Sequence, residues 1–243
     1  MGMPITVEVV DPQTTEETID MVFDYFDSID KKFSTYKGNS EISAINRGEL
    51  TKENWSTDMK EVFDLSEKTR QETFGYFDIA KPDQTFDPSG LVKGWSIWNA
   101  AKLLEKKGFE NFFVDAGGDI QVHGKNSKQK IWSVGIRNPF KQEENVKIVY
   151  LEDKGIATSG TYIRGQHIYN PHKKNEEITD IVSLSVVGQN VYEADRFATA
   201  AFAMGRSGLA FIEGLEGLEG YMIDAGGIGF ETSNFQAYTQ DHA

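Results

Sequence analysis

One eleven-residue stretch occurs twice in this chain, and it limits the possible folds more than any other feature. Gly108-Phe109-Glu110-Asn111-Phe112-Phe113-Val114-Asp115-Ala116-Gly117-Gly118 returns as Gly217-Leu218-Glu219-Gly220-Tyr221-Met222-Ile223-Asp224-Ala225-Gly226-Gly227, with six positions identical. In each copy an apolar, strand-like run leads into Asp-Ala-Gly-Gly, and apolar residues resume beyond it at Ile120 and Val122 or at Ile228 and Phe230. That pattern predicts strand, tight turn, strand, preceded by a helix ending in glycine. Two copies are too few for a solenoid, so they point to a body of two pseudo-repeated halves with clefts between them.

The remaining periodicities fill in a mixed architecture. Ile5, Val7 and Val9 alternate as in a strand, and Thr14 and Thr15 ahead of Glu16 and Glu17 announce a helix with Ile19, Val22, Phe23, Phe26, Ile29 and Phe33 on one face. A loop from Ser34 to Ser40, a short helix at Glu41 to Asn46 and a second amphipathic helix through Met59, Val62, Phe63 and Leu65 follow, broken at Gly75. A third helix is predicted from Val92 to Lys107, and strands at Ile131 to Arg137, Val146 to Leu151 and Ile181 to Val187, with loops at Asn138-Pro139 and Asn170-Pro171. No linker composition interrupts the chain, so residues 1–243 are expected to form a single α+β domain of mixed helix and sheet.

Charge and composition remove whole classes of function. With 25 basic and 38 acidic residues the formal charge is -13, and no basic patch is present to draw nucleic acid or an anionic membrane surface. The chain has no cysteine, so thiolate zinc sites and cysteine nucleophiles are excluded, and four histidines make a multi-His centre a poor expectation. No apolar run approaches a membrane span and no leader precedes the first strand, so a cytoplasmic location is expected. An acidic protein that binds a polyphosphate must offset its own charge there with metal, backbone amides or a few placed cations.

Glu193-Ala194-Asp195-Arg196-Phe197-Ala198-Thr199 carries the means to do so. An acid and a hydroxyl four residues apart face the same way on a helix, here expected in its first turn, and the small Ala194, Ala198, Ala200 and Ala201 let a partner come close. Hard cations prefer oxygen ligands, which suggests magnesium with a phosphate ester, although a helix cap would use the same residues. Four loops add to this. Phe86-Asp87-Pro88-Ser89-Gly90-Leu91-Val92-Lys93-Gly94-Trp95 puts an acid, a glycine and a lysine just before the third helix, where Lys93 could neutralise an oxyanion. Its spacing is not that of a P-loop. Ala157-Thr158-Ser159-Gly160-Thr161-Tyr162 lacks the G-x-S-x-G elbow of a serine hydrolase, His167-Ile168-Tyr169-Asn170-Pro171 holds a lone histidine, and Phe33-Ser34-Thr35-Tyr36 offers an aromatic that could stack on a flat ring.

Taken in order along the chain, these segments resemble the ApbE family of FAD:protein FMN transferases. They are Met1 to Pro4, Ser34-Thr35-Tyr36 with Ser40-Glu41-Ile42, Phe86 to Gly94, Gly117-Gly118-Asp119, Ala157 to Gly160, His167 to Pro171 and Ala194 to Ala200. The resemblance runs from Met1 to about Gly227 and implies an ApbE-like fold, FAD as substrate, Mg2+ as cofactor, and transfer of FMN to a Thr or Ser hydroxyl of an acceptor protein with release of AMP. It further implies that Asp195, Thr199 and the Gly90 carbonyl hold the magnesium. Met1, Tyr36, Tyr76, Phe77, Asp78, Asp87, Lys93, Ser159, His167 and Ile168 would contact FAD, and His167, as base, and Asp195 would be the catalytic residues. The acceptor would carry an Asp-x-x-Ser/Thr-Gly-Ala-Ser/Thr type segment. Asn170 stands where the family has Asp, and His172-Lys173-Lys174 replaces the family's Thr-Gly, so the rim facing the acceptor differs. Two other functions use the same pocket: hydrolysis of FAD to FMN and AMP with water as acceptor, and flavin carriage without turnover.

Overall fold

In the computed structural model, which describes residues 2–161, 168–173 and 176–240, a seven-stranded antiparallel sheet runs in the order β1-β2-β3-β6-β7-β8-β9. Its strands are β1 (Ile5–Val9), β2 (Phe112–Ala116), β3 (Asp119–His123), β6 (Gly155–Gly160), β7 (Ile181–Gly188), β8 (Glu219–Asp224) and β9 (Gly229–Glu231). The repeated stretches form the β2–β3 and β8–β9 hairpins near opposite edges of this one sheet, each turning through Asp-Ala-Gly-Gly. Gly117 and Gly118 take φ of +67° and +95°, and Gly227 +82°, conformations that side chains with a β-carbon rarely adopt.

β4 (Trp132–Asn138) and β5 (Lys141–Leu151) make a separate hairpin that covers one face of the sheet. Trp132, Val134, Ile136, Val149 and Leu151 meet Ile120, Val122, Ile156 and Ile223 there. Helices cover the other face. α1 (Glu16–Phe33) starts with a Thr15–Thr18 capping box and buries Val22, Phe26, Ile29 and Phe33, a three-and-four spacing that puts one stripe inward. α2 (Glu41–Asn46) and α3 (Thr57–Glu72) are capped by Ser40 and Ser56, whose hydroxyls accept from the amides three residues on.

α4 (Ser89–Lys106) and α5 (Val191–Ala203) are apolar nearly all round because each lies between the sheet and other helices. α6 (Ser207–Glu213) closes that side. Small residues bring α4, α5 and β6 unusually close. A β-carbon on Gly94 would lie 2.7 Å from the Val191 carbonyl, and one on Gly155 2.0 Å from the Val191 amide.

Three local expectations change. α4 begins at Ser89 rather than Val92, because Pro88 carries the chain straight into the first turn, so Ser89 and Gly90 lie inside the helix instead of ahead of it. Ala157–Gly160 is strand, paired with β7 from Gly155↔Gly188 to Gly160↔Ser183, where a loop was expected. Burial alternates here, Ala157 and Ser159 inside and Thr158 and Gly160 half-buried, but all four residues are small or polar and so show no alternation in hydropathy. Finally, α5 begins four residues before Asp195. Asn190 is its cap, accepting from the Glu193 amide at 2.9 Å, so Asp195 is neither the cap nor in the first turn.

Candidate active site

A cavity of about 150 Å³ opens beside the end of β6, where the amino-terminal part of α4 meets the middle of α5. α4 contributes Ser89, Gly90 and Lys93; α5 contributes Asp195 and Thr199; β6 contributes Thr158, Ser159 and Gly160. Gly117, from the first repeated turn, adds backbone. The connection after α3 adds Tyr76, Phe77, Asp78, Ile79 and Lys81, with Asp87 ahead of α4, and the segment Ile168, Tyr169 and Pro171 supplies the remaining wall.

Ten of the sequence-predicted site residues therefore share this one cavity: Tyr76, Phe77, Asp78, Asp87, Gly90, Lys93, Ser159, Ile168, Asp195 and Thr199. Tyr36 does not line it. It stands 98% exposed on the turn between α1 and α2. Met1 and His167 lie outside the described residues.

Three oxygens converge at the α4–α5 contact. The Thr199 hydroxyl reaches the Gly90 carbonyl at 3.4 Å, and Asp195 accepts from the Gly94 amide at 2.7 Å. Helical spacing keeps Asp195 and Thr199 on one face even though both lie deeper in α5 than its start. Lys93 Nζ is 2.5 Å from Asp119 Oδ2 and 3.6 Å from Asp195 Oδ1. Asp119 also accepts from the Thr158 amide at 3.0 Å, so it joins β3, β6 and α4.

Asp195 and Asp119 are 2% and 1% exposed, and one ammonium lies between the two carboxyls. Burial pushes the Asp195 carboxyl well above the usual carboxylate range; Lys93 draws it back in part, and Asp119 pushes it further up. A second cation at Asp195 would favour its ionised form. Among the described residues no group of three or more His, Cys, Asp or Glu side chains could hold a metal. A cation here would rest on one carboxylate, one hydroxyl and one carbonyl, and would need oxygens from a bound substrate. That donor set suits magnesium, which commonly binds through one or two carboxylates plus substrate phosphates. At the mouth, burial works against ionisation of Asp87, but the Ser89 hydroxyl and then Lys81 outweigh it and hold its carboxyl below the ordinary range.

Asp119 was legible only as part of Gly117-Gly118-Asp119, without a role. Its partner Lys93 lies on another element, and a turn acid carries no local sign of such pairing. Arg196 likewise shows no role in the sequence alone. It is buried against the Phe197 ring and ion-paired with Glu72 and Glu193, tying α5 to the end of α3.

The family model described as "ApbE family" matches residues 1–81 and 80–222. The FAD:protein FMN transferase of Klebsiella pneumoniae (strain 342) is 31% identical over 160 residues, covering 62% of this chain and 46% of that protein. The FAD:protein FMN transferase of Escherichia coli (strain K12) is 29% identical over 166 residues, covering 65% and 47%. The chain thus spans about half the length of these curated relatives. Among solved structures, the Flavin Transferase ApbE from Vibrio cholerae superposes with a TM-score of 0.85 at 22% identity, over 98% of this chain and 96% of that one. The apbe protein from Thermotoga maritima gives 0.84 at 18%, over 98% and 99%. At these identities the superpositions establish a shared fold.

Proposed function

Because the chain belongs to the ApbE family, we propose that it transfers FMN from FAD to a Thr or Ser hydroxyl of an acceptor protein and releases AMP, with residues 1–243 acting as one catalytic unit. The observation that carries this reading is that Asp195, Thr199, Gly90 and Lys93 line one cavity, with two buried carboxyls sharing the Lys93 ammonium. Two related FAD:protein FMN transferases, by their names, draw on the same donor and act on proteins. No helix among the described residues is long and apolar enough to cross a membrane.

Asp195, Thr199 and the Gly90 carbonyl would hold magnesium, which when bound neutralises charge on a diphosphate and favours a leaving phosphate. Lys93 supplies a fixed positive charge for a phosphoryl oxygen, and Asp119 keeps its ammonium in place. The amino end of α4 favours an anion on the same side. Tyr76, Phe77 and Ile168 give the flat, apolar surfaces that an aromatic ring system needs. His167 adjoins Ile168 in sequence and is assigned as the base that takes the acceptor hydroxyl's proton, a contribution of about 10² to 10⁴ in rate. The acceptor oxygen forms a bond to the FMN phosphorus, the bond to the bridging oxygen breaks, and that oxygen leaves on AMP. Most of the catalysis is alignment and charge stabilisation.

The test is incubation with FAD, magnesium and an acceptor protein carrying an Asp-x-x-Ser/Thr-Gly-Ala-Ser/Thr segment. Mass spectrometry should find an FMN adduct on the acceptor and chromatography one AMP per adduct. AMP accumulating equally without acceptor would identify a hydrolase instead, and no adduct with several such acceptors would overturn the reading.

A further inference from the structure

The end of α3 is built in a way that sequence economy does not explain. The Gly75 amide donates to the Arg70 carbonyl at 2.7 Å and the Phe74 amide to the Gln71 carbonyl at 3.2 Å, the two hydrogen bonds of a Schellman ending. Glycine is the usual residue at the left-handed position of that motif. Here Phe74 occupies it, with φ +54°, and a glycine follows only at the next position, with φ +79°. Among the described residues the other non-glycines with positive φ are Gln84, Gln129 and Asp153, all polar. A phenylalanine held in this conformation would be understandable if its ring filled the core, but Phe74 is 74% exposed. The chain therefore accepts backbone strain in order to keep an aromatic ring in water, and strain of that kind clusters where function requires it.

The location of this corner identifies what the ring is for. His172 Nε2 donates to the Phe74 carbonyl at 2.9 Å, its ring stands edge-on to Tyr76 at 4.6 Å between centroids, and its Cε1 is 3.4 Å from where a Gly75 β-carbon would be. Asn170 accepts from the His172 amide at 2.9 Å, closing the turn through Pro171. Pro171 and Tyr76 both line the cavity, so His172 fastens the Phe74 corner to the mouth of the pocket. A small nucleotide buried in the cavity has no use for a ring outside it, whereas a polypeptide that presents a hydroxyl to the cavity must cross this rim.

We propose that Phe74, fixed at the rim by His172, is a docking residue for the acceptor polypeptide and receives an apolar or aromatic side chain that flanks the modified hydroxyl. This rests on the transferase reading above. The test compares wild type with Phe74→Gly, Phe74→Ala and Phe74→Trp, using FAD, magnesium and an acceptor protein carrying the Asp-x-x-Ser/Thr-Gly-Ala-Ser/Thr segment. Phe74→Gly should raise KM for the acceptor at least fivefold while kcat and FAD affinity stay within twofold of wild type. Its Tm should hold level or rise, since glycine relaxes the turn. Phe74→Ala should show the same KM effect, and Phe74→Trp should restore wild-type KM. A merely structural role would instead lower Tm and change FAD affinity. Acceptor KM within twofold of wild type in both Phe74→Gly and Phe74→Ala, with wild-type transfer intact, would overturn this proposal alone. Absence of any adduct with wild type would overturn the transferase reading and this proposal with it.

Discussion

Gly94 shows how one missing methyl group sets the geometry of the site. A β-carbon there would lie 2.6 Å from Asp195 Cβ and 2.7 Å from the Val191 carbonyl, closer than real side chains approach. Gly94→Ala must therefore push α4 off α5, at a cost of about 1–3 kcal/mol for overpacking a filled site. It should also shift the Asp195 carboxylate, which the Gly94 amide now holds. Chemical denaturation should register the first effect, and titration calorimetry with FAD and magnesium should find binding at least tenfold weaker. Asp119→Asn makes a complementary case: it keeps an acceptor for the Thr158 amide but takes the charge from beside Lys93. Folding should change little, while kcat falls at least tenfold in a transfer assay with KM for FAD moving less, because the loosened ammonium matters most as charge develops. Asp195, Thr199, Gly90 and Lys93 were legible in the sequence because each sits in a short, chemically odd segment. Asp119 was not, since its meaning lies in a partner on another element. Asn170 shows why an apparent loss of an acid need not disturb the rim: its carbonyl oxygen accepts from the His172 amide, a task an Asp oxygen would perform equally.

At the scale of elements, α5 determines where the acid and hydroxyl point, and its start depends on one side chain. Asn190 caps it, and Glu193 follows three residues later, the spacing that marks a helix start. That signal was present in the sequence but was outweighed by the acid-and-alanine run, which suggested a start at Asp195. Moving a helix start by a whole turn leaves the facing of Asp195 and Thr199 unchanged, which is why both still line one cavity. β6 was hidden for a different reason. Ala157-Thr158-Ser159 alternates in burial, but its residues are all small or polar, so no period-two hydropathy shows in the sequence. The Asp-Ala-Gly-Gly hairpins, by contrast, were readable twice over, since their turns require residues tolerant of positive φ. Asn190→Ala should cost about 1 kcal/mol by exposing an unmet amide at the start of α5. For a chain of this size that corresponds to a Tm lower by about 2–4 °C in a calorimetric scan. The loss should be smaller than that of Gly94→Ala, because a cap sits at a helix end and the glycine sits at a filled contact.

For the molecule as a whole, the proposed site predicts that stability is coupled to ligand. Two buried carboxyls around one ammonium cost the free protein stability, which on the proposed reading a cation and a diphosphate would restore. On the proposed reading both ligands would be anchored to the same α4–α5–β6 junction, where core side chains from the helices and the sheet meet. Binding there stabilises the folded chain by mass action, about 2.7 kcal/mol when ligand is present at a hundred times its Kd. That amounts to a Tm increase of about 5–10 °C. The increase should require FAD and magnesium together, since the diphosphate completes the cation's oxygens and the cation offsets the diphosphate's charge. Asp195→Asn separates the two halves of this account. Removing the unfavourable buried charge while keeping an acceptor for the Gly94 amide should leave the free protein as stable as wild type or more so, yet abolish the joint increase. A thermal-shift series with FAD alone, magnesium alone, both, and both plus EDTA reads this directly. Equal shifts with FAD in the presence and absence of EDTA would mean that the cluster at Asp195 serves packing and not a cation.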